Sequence, residues 1–451
     1  MNPSLKNSLL LLFLFCCTNT WAQSSFMQVY GSVSDDRPYG IFETNEQNLV
    51  FFGSSGWKNY ACMVNRYGQI FWQHIYNNKS DGDELNDGFQ LNDTTLVFGG
   101  DAGFQAQSSN PRLTFIHTNG TIIKDTFYTL TALTAGIIEK MVNVPEKKYI
   151  FSIGYGMIRN PNMVSTLYVQ KTDYTGKRLF SKQLPLVSPG YLFKHPQQEK
   201  YFVFGLHTKI TLDSNANQIG TIDSIVPTGH ELLDIVQLED GSYYTFVDDN
   251  FFGYYVQKLD IEGIFVENWL TLPNNRDTLI YGSSLHRICV NNKKEVALAG
   301  YTFLVIIDSL KQVKASKPLL PYYSGLLTTI KPSKDGGFFG TGQYFANFDS
   351  SSYDIYVFKT KPNGDIVTSL IEPQKLSINL NVYPNPSSGI FTISGVTQHA
   401  TAQITDVLGK VVVPQFNVEN NTINCTTLAK GNYIITIFAN NKYHRQIISI
   451  E

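Results

Sequence analysis

The chain has 451 residues, 43% of them hydrophobic and 16% charged, with a net charge of −2. This excludes a disordered chain, a nucleic-acid-binding stripe and a polybasic membrane patch, and the length points to more than one domain. Twenty-six Tyr, 30 Phe and 34 Gly lean the composition to an all-β fold, since aromatics suit half-buried strands and glycine suits tight turns.

At the N-terminus, Lys6 precedes an apolar run from Leu9 to Phe15 that is too short to span a bilayer. Thr20 and Ala22 then sit where a cut before Gln23 wants small residues, so residues 1–22 read as a signal peptide, with a buried strand as the competing reading. Lipidation is disfavoured, because Phe15 and Cys16 precede Cys16 and Cys17 where a small residue is needed. Cys62, Cys289 and Cys425 remain after the cut. They are far apart and odd in number; Cys62 and Cys289 lie in apolar runs and read as buried thiols. No Cys/His spacing suggests zinc, and no later run is long and apolar enough to span a membrane.

From Phe26 to Leu370 a short apolar strand ending near glycine recurs. Copies are Leu49–Gly53, Leu96–Gly99, Tyr149–Gly154, Tyr201–Gly205, Tyr243–Val247, Val296–Gly300 and Gly337–Gly340. Their spacing is roughly 48 residues, as expected of propeller blades. Most copies are followed by a strand, a polar turn with glycine, and another strand, as at Val64–Ile70, Ile116–Ile122, Lys171–Lys177, Leu259–Ile264 and Lys359–Ile366. The turns at Leu212–Ser214 and Ile307–Ser309 lack the glycine. Each copy has room for four short strands, so residues 23–370 read as a seven-bladed β-propeller; six or eight blades, or an array of β-sandwiches, are the competing architectures. One four-stranded sheet cannot bury both faces, whereas a closed ring of them can. Phe26–Tyr30 is expected to add a strand to the last blade and clasp the ring. The best helix candidate, Thr129–Val142, is short and broken by Gly136. Lys334–Gly340 resembles, loosely, the glycine-rich blade repeats of secreted bacterial propellers, which implies a fold and no activity.

Residues 371–378 read as a polar linker, after which the repeat stops. From Asn379 short strands alternate with turns, including Ile390–Ile393, Ala402–Thr405, Lys410–Val413, Asn432–Ile437 and Gln446–Ile450. Residues 379–451 therefore read as a small immunoglobulin-like β-sandwich. Three short motifs occur in order: Tyr383-Pro384-Asn385-Pro386-Ser387-Ser388-Gly389, Asp406-Val407-Leu408-Gly409-Lys410 and Leu428-Ala429-Lys430-Gly431-Asn432-Tyr433. Singly, each is an ordinary turn. Together, this segment resembles the type A C-terminal sorting domain of the type IX secretion system of Bacteroidota. The resemblance implies sorting residues at Tyr383, Pro384, Asn385, Pro386, Gly389, Asp406, Gly409, Lys410, Leu428, Gly431 and Tyr433. It also implies the type IX secretion machinery as partner, passage through the periplasm, and a secreted or outer-membrane-surface location, released or anchored to lipopolysaccharide.

Catalytic motifs are not found: there is no HExxH, P-loop, GxSxG elbow or dinucleotide fingerprint. His74, His117, His195, His207, His230 and His286 are scattered without ligand spacing. Asp81–Gly88 is the most acidic segment; calcium would need close oxygens, but Leu85 interrupts them, so a solvated inter-blade loop is expected. No catalytic residue, metal ligand or cofactor is assigned. Asp93-Thr94-Thr95, Asp223-Ser224-Ile225, Asp277-Thr278-Leu279 and Asp308-Ser309-Leu310 resemble O-glycan acceptors of Bacteroidota. Two functions stand: a non-catalytic propeller presenting loops to a protein or glycan, and a polysaccharide hydrolase or lyase with its site at the propeller mouth.

Overall fold

A computed structural model describes residues 25–31, 35–76, 83–103, 109–129, 135–158, 164–184, 190–249, 253–273, 285–300, 303–319, 325–345, 353–366, 374–375, 381–394, 400–406, 411–418, 421–439 and 442–451. The signal peptide expected over residues 1–22 lies outside them. Among the described residues the regular elements are strands, apart from one 3-10 turn, Pro145–Lys147. The helix candidate Thr129–Val142 instead contains the strand Ala135–Gly136 and the start of Lys140–Val144, both laid against Tyr149–Ile158.

Seven sheets follow one another along the chain. Blade 1 is Asp36–Glu43, Leu49–Ser55, Lys58–Val64 and Ile70–Tyr76. Blade 2 is Glu84–Asn92, Thr95–Ala102, Asn110–His117 and Ile122–Phe127. Blade 3 opens with Ala135–Gly136 and Lys140–Val144, then Tyr149–Ile158, Val164–Asp173 and Arg178–Leu184. Blade 4 is Tyr191–Lys194, Lys200–Phe204, Thr208–Asp213 and Gln218–Ser224. Blade 5 is Glu231–Gln237, Tyr243–Asp248, Gly253–Leu259 and Phe265–Pro273. Blade 6 is Leu285–Val290, Val296–Gly300, Phe303–Ile307 and Val313–Pro318. Blade 7 has Gly325–Pro332, Phe338–Tyr344 and Asp354–Lys359, and takes its fourth strand, Phe26–Gly31, from the other end of the chain.

First strands line a central axis. Those of blades 1 to 4 touch in succession, as do those of blades 5, 6, 7 and 1; blades 4 and 5 join through a shared core. This is a closed seven-bladed β-propeller, and Phe26–Gly31 is its clasp.

The second strands explain the recurring apolar run. Alternate side chains point to opposite faces of a sheet, and here both faces are covered. Leu49 and Phe51 pack back onto blade 7, while Val50 and Phe52 pack forward onto blade 2. Tyr201 and Val203 meet blade 3, and Phe202 and Phe204 meet blade 5. The fourth strands of blades 2, 4 and 6 face solvent, Gln218–Ser224 along its whole length, while the clasp Phe26–Gly31 is largely buried.

Turn glycines have a second role. The third-to-fourth turns need a positive φ, as at Gly120 (φ 89°). They also press on the preceding blade: a Cβ on Gly120 would come within 2.7 Å of the His74 ring. The Tyr76 hydroxyl donates to the Gly120 carbonyl, and the Tyr128 hydroxyl to that of Gly176, so outer strands grip the next blade's turn.

The C-terminal region holds two sheets, ordered first-second-fifth and fourth-third-sixth-seventh in its own strands. The first is Asn381–Tyr383, Ile390–Ser394 and Thr422–Asn424; the second is Val411–Val418, Ala400–Asp406, Gly431–Ala439 and Lys442–Ile450. Val382, Phe391, Ile393 and Ile423 of one sheet share a core with Ile404, Ile435, Ile437 and Ile448 of the other. This is an immunoglobulin-like sandwich with its fourth strand on the larger sheet. Of the linker expected over 371–378, Gln374–Lys375 is described, paired in parallel with the clasp at Tyr30 and Gly31.

Candidate functional site

The two ends of the propeller differ. At one end lie the first-to-second and third-to-fourth connections, short and alike, such as 65–69, 195–199, 238–242, 260–264, 291–295 and 308–312. Many close on the same device. Asn65, Asp213, Asp260 and Asp308 each accept N–H bonds from the residues two and four places on. At the other end the connections run from two residues (56–57) to eleven (274–284). We call these the turn end and the loop end.

Carboxyl groups at the two ends are tuned oppositely. At the turn end, Lys200 holds Glu262 below the usual carboxylate range, and the Ser242 hydroxyl does so for Asp240. Asp213 also sits low: burial pushes it up, but N–H and amide donors of Asn217 outweigh that push. At the loop end, burial pushes Asp101 up to about 8, with the Glu84, Asp83 and Glu139 charges adding to it. Burial likewise raises Glu84 and Glu139. Asp101 is 1% exposed, and among the described residues neither carboxyl oxygen has a side-chain hydrogen-bond partner.

The acidic segment Asp81–Gly88 is not a solvated loop where it is described. Glu84–Asn92 is the first strand of blade 2, and Asp83 is buried in an ion pair with Arg112, itself bound by Asp125 through two 2.6 Å bonds. Glu84 accepts the Tyr39 hydroxyl at 2.8 Å. Asp81 and Gly82 lie outside the described residues. Among the described residues no group of three His, Cys, Asp or Glu is placed to hold a metal ion.

A cavity of about 380 Å³ lies in the channel wall built by blades 7, 1, 2 and 3. Its polar rim is Tyr39, Glu43, Asn86, Asp87, Lys140, Thr329, Lys331 and Lys334, and Ile41, Phe42, Phe52 and Phe339 give it an apolar floor. Both carboxylates are engaged. Asp87 accepts the N–H of Gly88 and, across the blade boundary, that of Met141 at 2.7 Å. Glu43 accepts the Ser333 hydroxyl, the Lys334 N–H and the ammonium of Lys359, whose side chain is fully buried. Asp234 repeats the Asp87 device, accepting the N–H groups of Ile235 and of Ile288 in blade 6. Asp87 and Asp234 each follow a bulge in a first strand, which turns an extra side chain toward the next blade.

The histidines stay apart. His195 is buried, its Nδ1 accepting the N–H groups of Gln197 and Gln198. His286 bonds the Leu327 carbonyl, His230 the Tyr255 hydroxyl, and His74 stacks on Trp72. Cys62, Cys289 and Cys425 are buried free thiols.

In the sandwich, two of the three motifs meet at the terminal strand. The Asn385 amide donates to the Ile447 carbonyl, and its oxygen accepts the Ser449 N–H. Tyr383-Pro384 and Asn385-Pro386 are cis. Gly389 (φ 105°) takes a conformation that favours glycine, and a Cβ there would strike the Thr426 backbone at 2.8 Å. Gly431 pairs with Ile450, and Asp406 stands opposite Tyr433. The Tyr433 hydroxyl bonds the Ala429 carbonyl, and Leu428 packs on the core. Gly409 and Lys410 lie outside the described residues.

No curated protein matches the sequence. Among solved structures, the WD40 domain of Neurospora crassa Pan2 is similar at 11% identity and TM-score 0.49, over 74% of this chain and 91% of that one. A protein of unknown function from Bacteroides caccae is similar at 13% identity and TM-score 0.41, over 64% of this chain and 99% of that one. Residues 381–451 match the family model described as "Secretion system C-terminal sorting domain". With the three motifs and the sandwich, that match gives this propeller protein a C-terminal sorting domain of the type IX secretion system, an address for the cell surface or the medium.

Proposed function

We propose that the propeller is a non-catalytic binding module, delivered to the cell surface or the medium to engage a protein or glycan through its loop end. The carrying observation is the contrast between uniform turns at one end and connections of two to eleven residues at the other. Loops that vary in length on a rigid scaffold are where binding surfaces are built. The engagement of Asp87, Glu43 and Asp234 by backbone or buried partners supports the same reading. A glycan and protein array probed with residues 23–370 tests it: binding lost on exchange of loop-end segments is expected, and binding lost only on turn-end changes would refute it.

One observation favours the second reading, a polysaccharide hydrolase. A glycosidase needs one carboxyl kept protonated near neutral pH beside another that ionises, and Glu84, Asp101 and Glu139 are all raised. Burial of Asp101 keeps it from a substrate, which leaves Glu84 and Glu139 as the candidate acids to test. Depolymerisation of acidic or neutral polysaccharides, abolished by Glu84→Gln or Glu139→Gln, would establish this reading over the first.

In the sandwich, the eleven motif residues are proposed as the sorting determinant. The domain limits 23–370 and 379–451, a bacterial source among the Bacteroidota, and surface anchoring through lipopolysaccharide belong to the same proposal. Removing residues 379–451 is expected to leave the propeller in the periplasm, detected by fractionation; unaltered secretion would refute it.

A further inference from the structure

Trp57 stands where the fold least needs a tryptophan. It is the second residue of the two-residue hairpin 56–57, which joins the second and third strands of blade 1 at the loop end. Gly56 (φ 55°) and Trp57 (φ 64°) are both left-handed, in a turn that favours glycine, asparagine or aspartate. Other non-glycine residues at positive φ, such as Gln47, Lys148, Ala216 and Lys294, are polar or small. Trp57 is also 40% exposed, whereas Trp72 and Trp269 are buried. A large ring held in an unfavourable conformation and left in solvent is not there to fill a core, and such strain points to function.

Its surroundings are ordered around the indole. The Arg37 guanidinium lies over the Trp57 ring at 4.9 Å and over the Tyr353 ring at 5.7 Å. Phe345 meets Tyr353 in a T-shaped contact at 5.0 Å. Asp35 ties the group together. Its carboxylate accepts Arg37 Nε at 3.0 Å, pairs with Nη2 at 2.8 Å and accepts the Tyr353 N–H, while its carbonyl accepts the Gly56 N–H. Arg37 Nη1 and Trp57 Nε1 have no partner among the described residues. The Asp35–Arg37 pair is neutral as a unit, so a ligand here needs no charge. It offers donors and acceptors side by side, as sugar hydroxyls do. Protein hot spots use Trp and Arg too, but in desolvated patches, and this pair is only half-buried. The axial C–H groups of a β-linked glucose ring fit the face of an indole. We propose that Trp57 is the stacking platform for a neutral β-glucan, one glucose ring lying on the indole with its hydroxyls on Arg37 and Asp35. This deepens the glycan-binding reading above and rests on it.

Calorimetric titration of the full chain with cellotetraose tests the platform, and binding is expected. Trp57→Gly should abolish it while keeping or raising the melting temperature, because glycine is at ease at that φ. Trp57→Phe, which keeps a ring, retains weaker binding. Arg37→Lys keeps the charge but loses the planar fork, and weakens binding about tenfold. Phe71→Ala, at an exposed ring on the outer strand of blade 1, leaves it unchanged. A clear fall in the melting temperature of Trp57→Gly would make the ring structural and overturn the proposal. Cellotetraose binding that survives Trp57→Gly but not exchange of other loop-end segments overturns the platform and leaves the glycan reading standing. No cellotetraose binding, with a protein-array hit that Trp57→Gly loses, overturns the glycan reading itself and gives the ring a protein partner.

Discussion

The two ends of the propeller are built from the same strands yet obey different chemistry. At the turn end, carboxylates accept hydrogen bonds and sit low in pKa, as Asp213, Asp240 and Glu262 do. At the loop end, buried Asp101 and half-buried Glu84 and Glu139 lie near one another and sit high. The turn end spends its charges on closing hairpins and locking blades. The loop end carries carboxyl groups whose ionisation their surroundings disfavour, beside the compensated pair Asp83–Arg112. On the binding reading proposed above, stability and recognition fall to opposite ends of one scaffold.

The strongest test of that division lies at the turn end. Glu43→Ala removes a partner of Lys359, a fully buried ammonium at the boundary of blades 7 and 1 that keeps Asp335. A loss of about 3 kcal/mol in urea unfolding is expected, since breaking a buried pair strands a charge. A loss below about 0.5 kcal/mol, the range of an ordinary surface change, would show that the turn end is not the structural one.

Next comes the loop end, through pH. The folded-state pKa of Asp101, about 8, lies above its ordinary value, so the folded protein binds the extra proton between the two. Stability from this group is therefore full below the ordinary aspartate range and is lost as pH rises toward 8; Glu84 and Glu139 act in the same sense. The low carboxylates of the turn end do the reverse, contributing above the ordinary range and losing that contribution as pH falls. Asp101→Asn should raise stability at pH 8 by a few kcal/mol, on the order of the charge burial it relieves, and flatten the slope between pH 5 and 8. An unchanged slope would exclude Asp101 as its source.

A smaller effect is expected from Gly120→Ala, at about 1–3 kcal/mol, because alanine at that φ is strained and its methyl meets His74 and Trp72. Thermal melts should show the loss; a neutral substitution would mean the turn does not press on blade 1. Smallest in stability is the replacement of residues 274–284 by a short turn. Loop-length terms amount to about 0.6 kcal/mol per doubling, so the melt should barely move while partner binding falls. A large drop in melting temperature would blur the two ends.

Much of the scaffold was legible in the sequence because it is local and periodic. Leu49–Gly53 and its copies became the second strands, since both faces of those strands are buried and the apolar run is continuous. Phe26–Tyr30 was legible as a strand because it is a short, mostly apolar run, and it pairs with Asp354–Lys359 as the clasp. What was not legible depends on partners far along the chain. Asp87 and Asp234 are ordinary acidic residues in sequence, yet each bonds an N–H 54 residues away. Asp83 looked solvated because carboxylates usually are; Arg112, which neutralises it, stands 29 residues on. Lys140 and Lys331 face one cavity only because blades 3 and 7 lie on either side of blades 1 and 2 around the ring.

The clasp has a consequence for the order of events during export. Phe26–Gly31 pairs with Asp354–Lys359, more than three hundred residues later. A chain emerging N-terminus first carries an unpaired, apolar strand until nearly all of the propeller has followed it. Ring closure is thus the last assembly step and a slow one, because contacts so distant in sequence form late. The linker and the sorting sandwich emerge after the last blade. The molecule reports its own completeness: a truncated or stalled chain exposes Phe26, Met27, Val29 and Tyr30, and a finished one hides them.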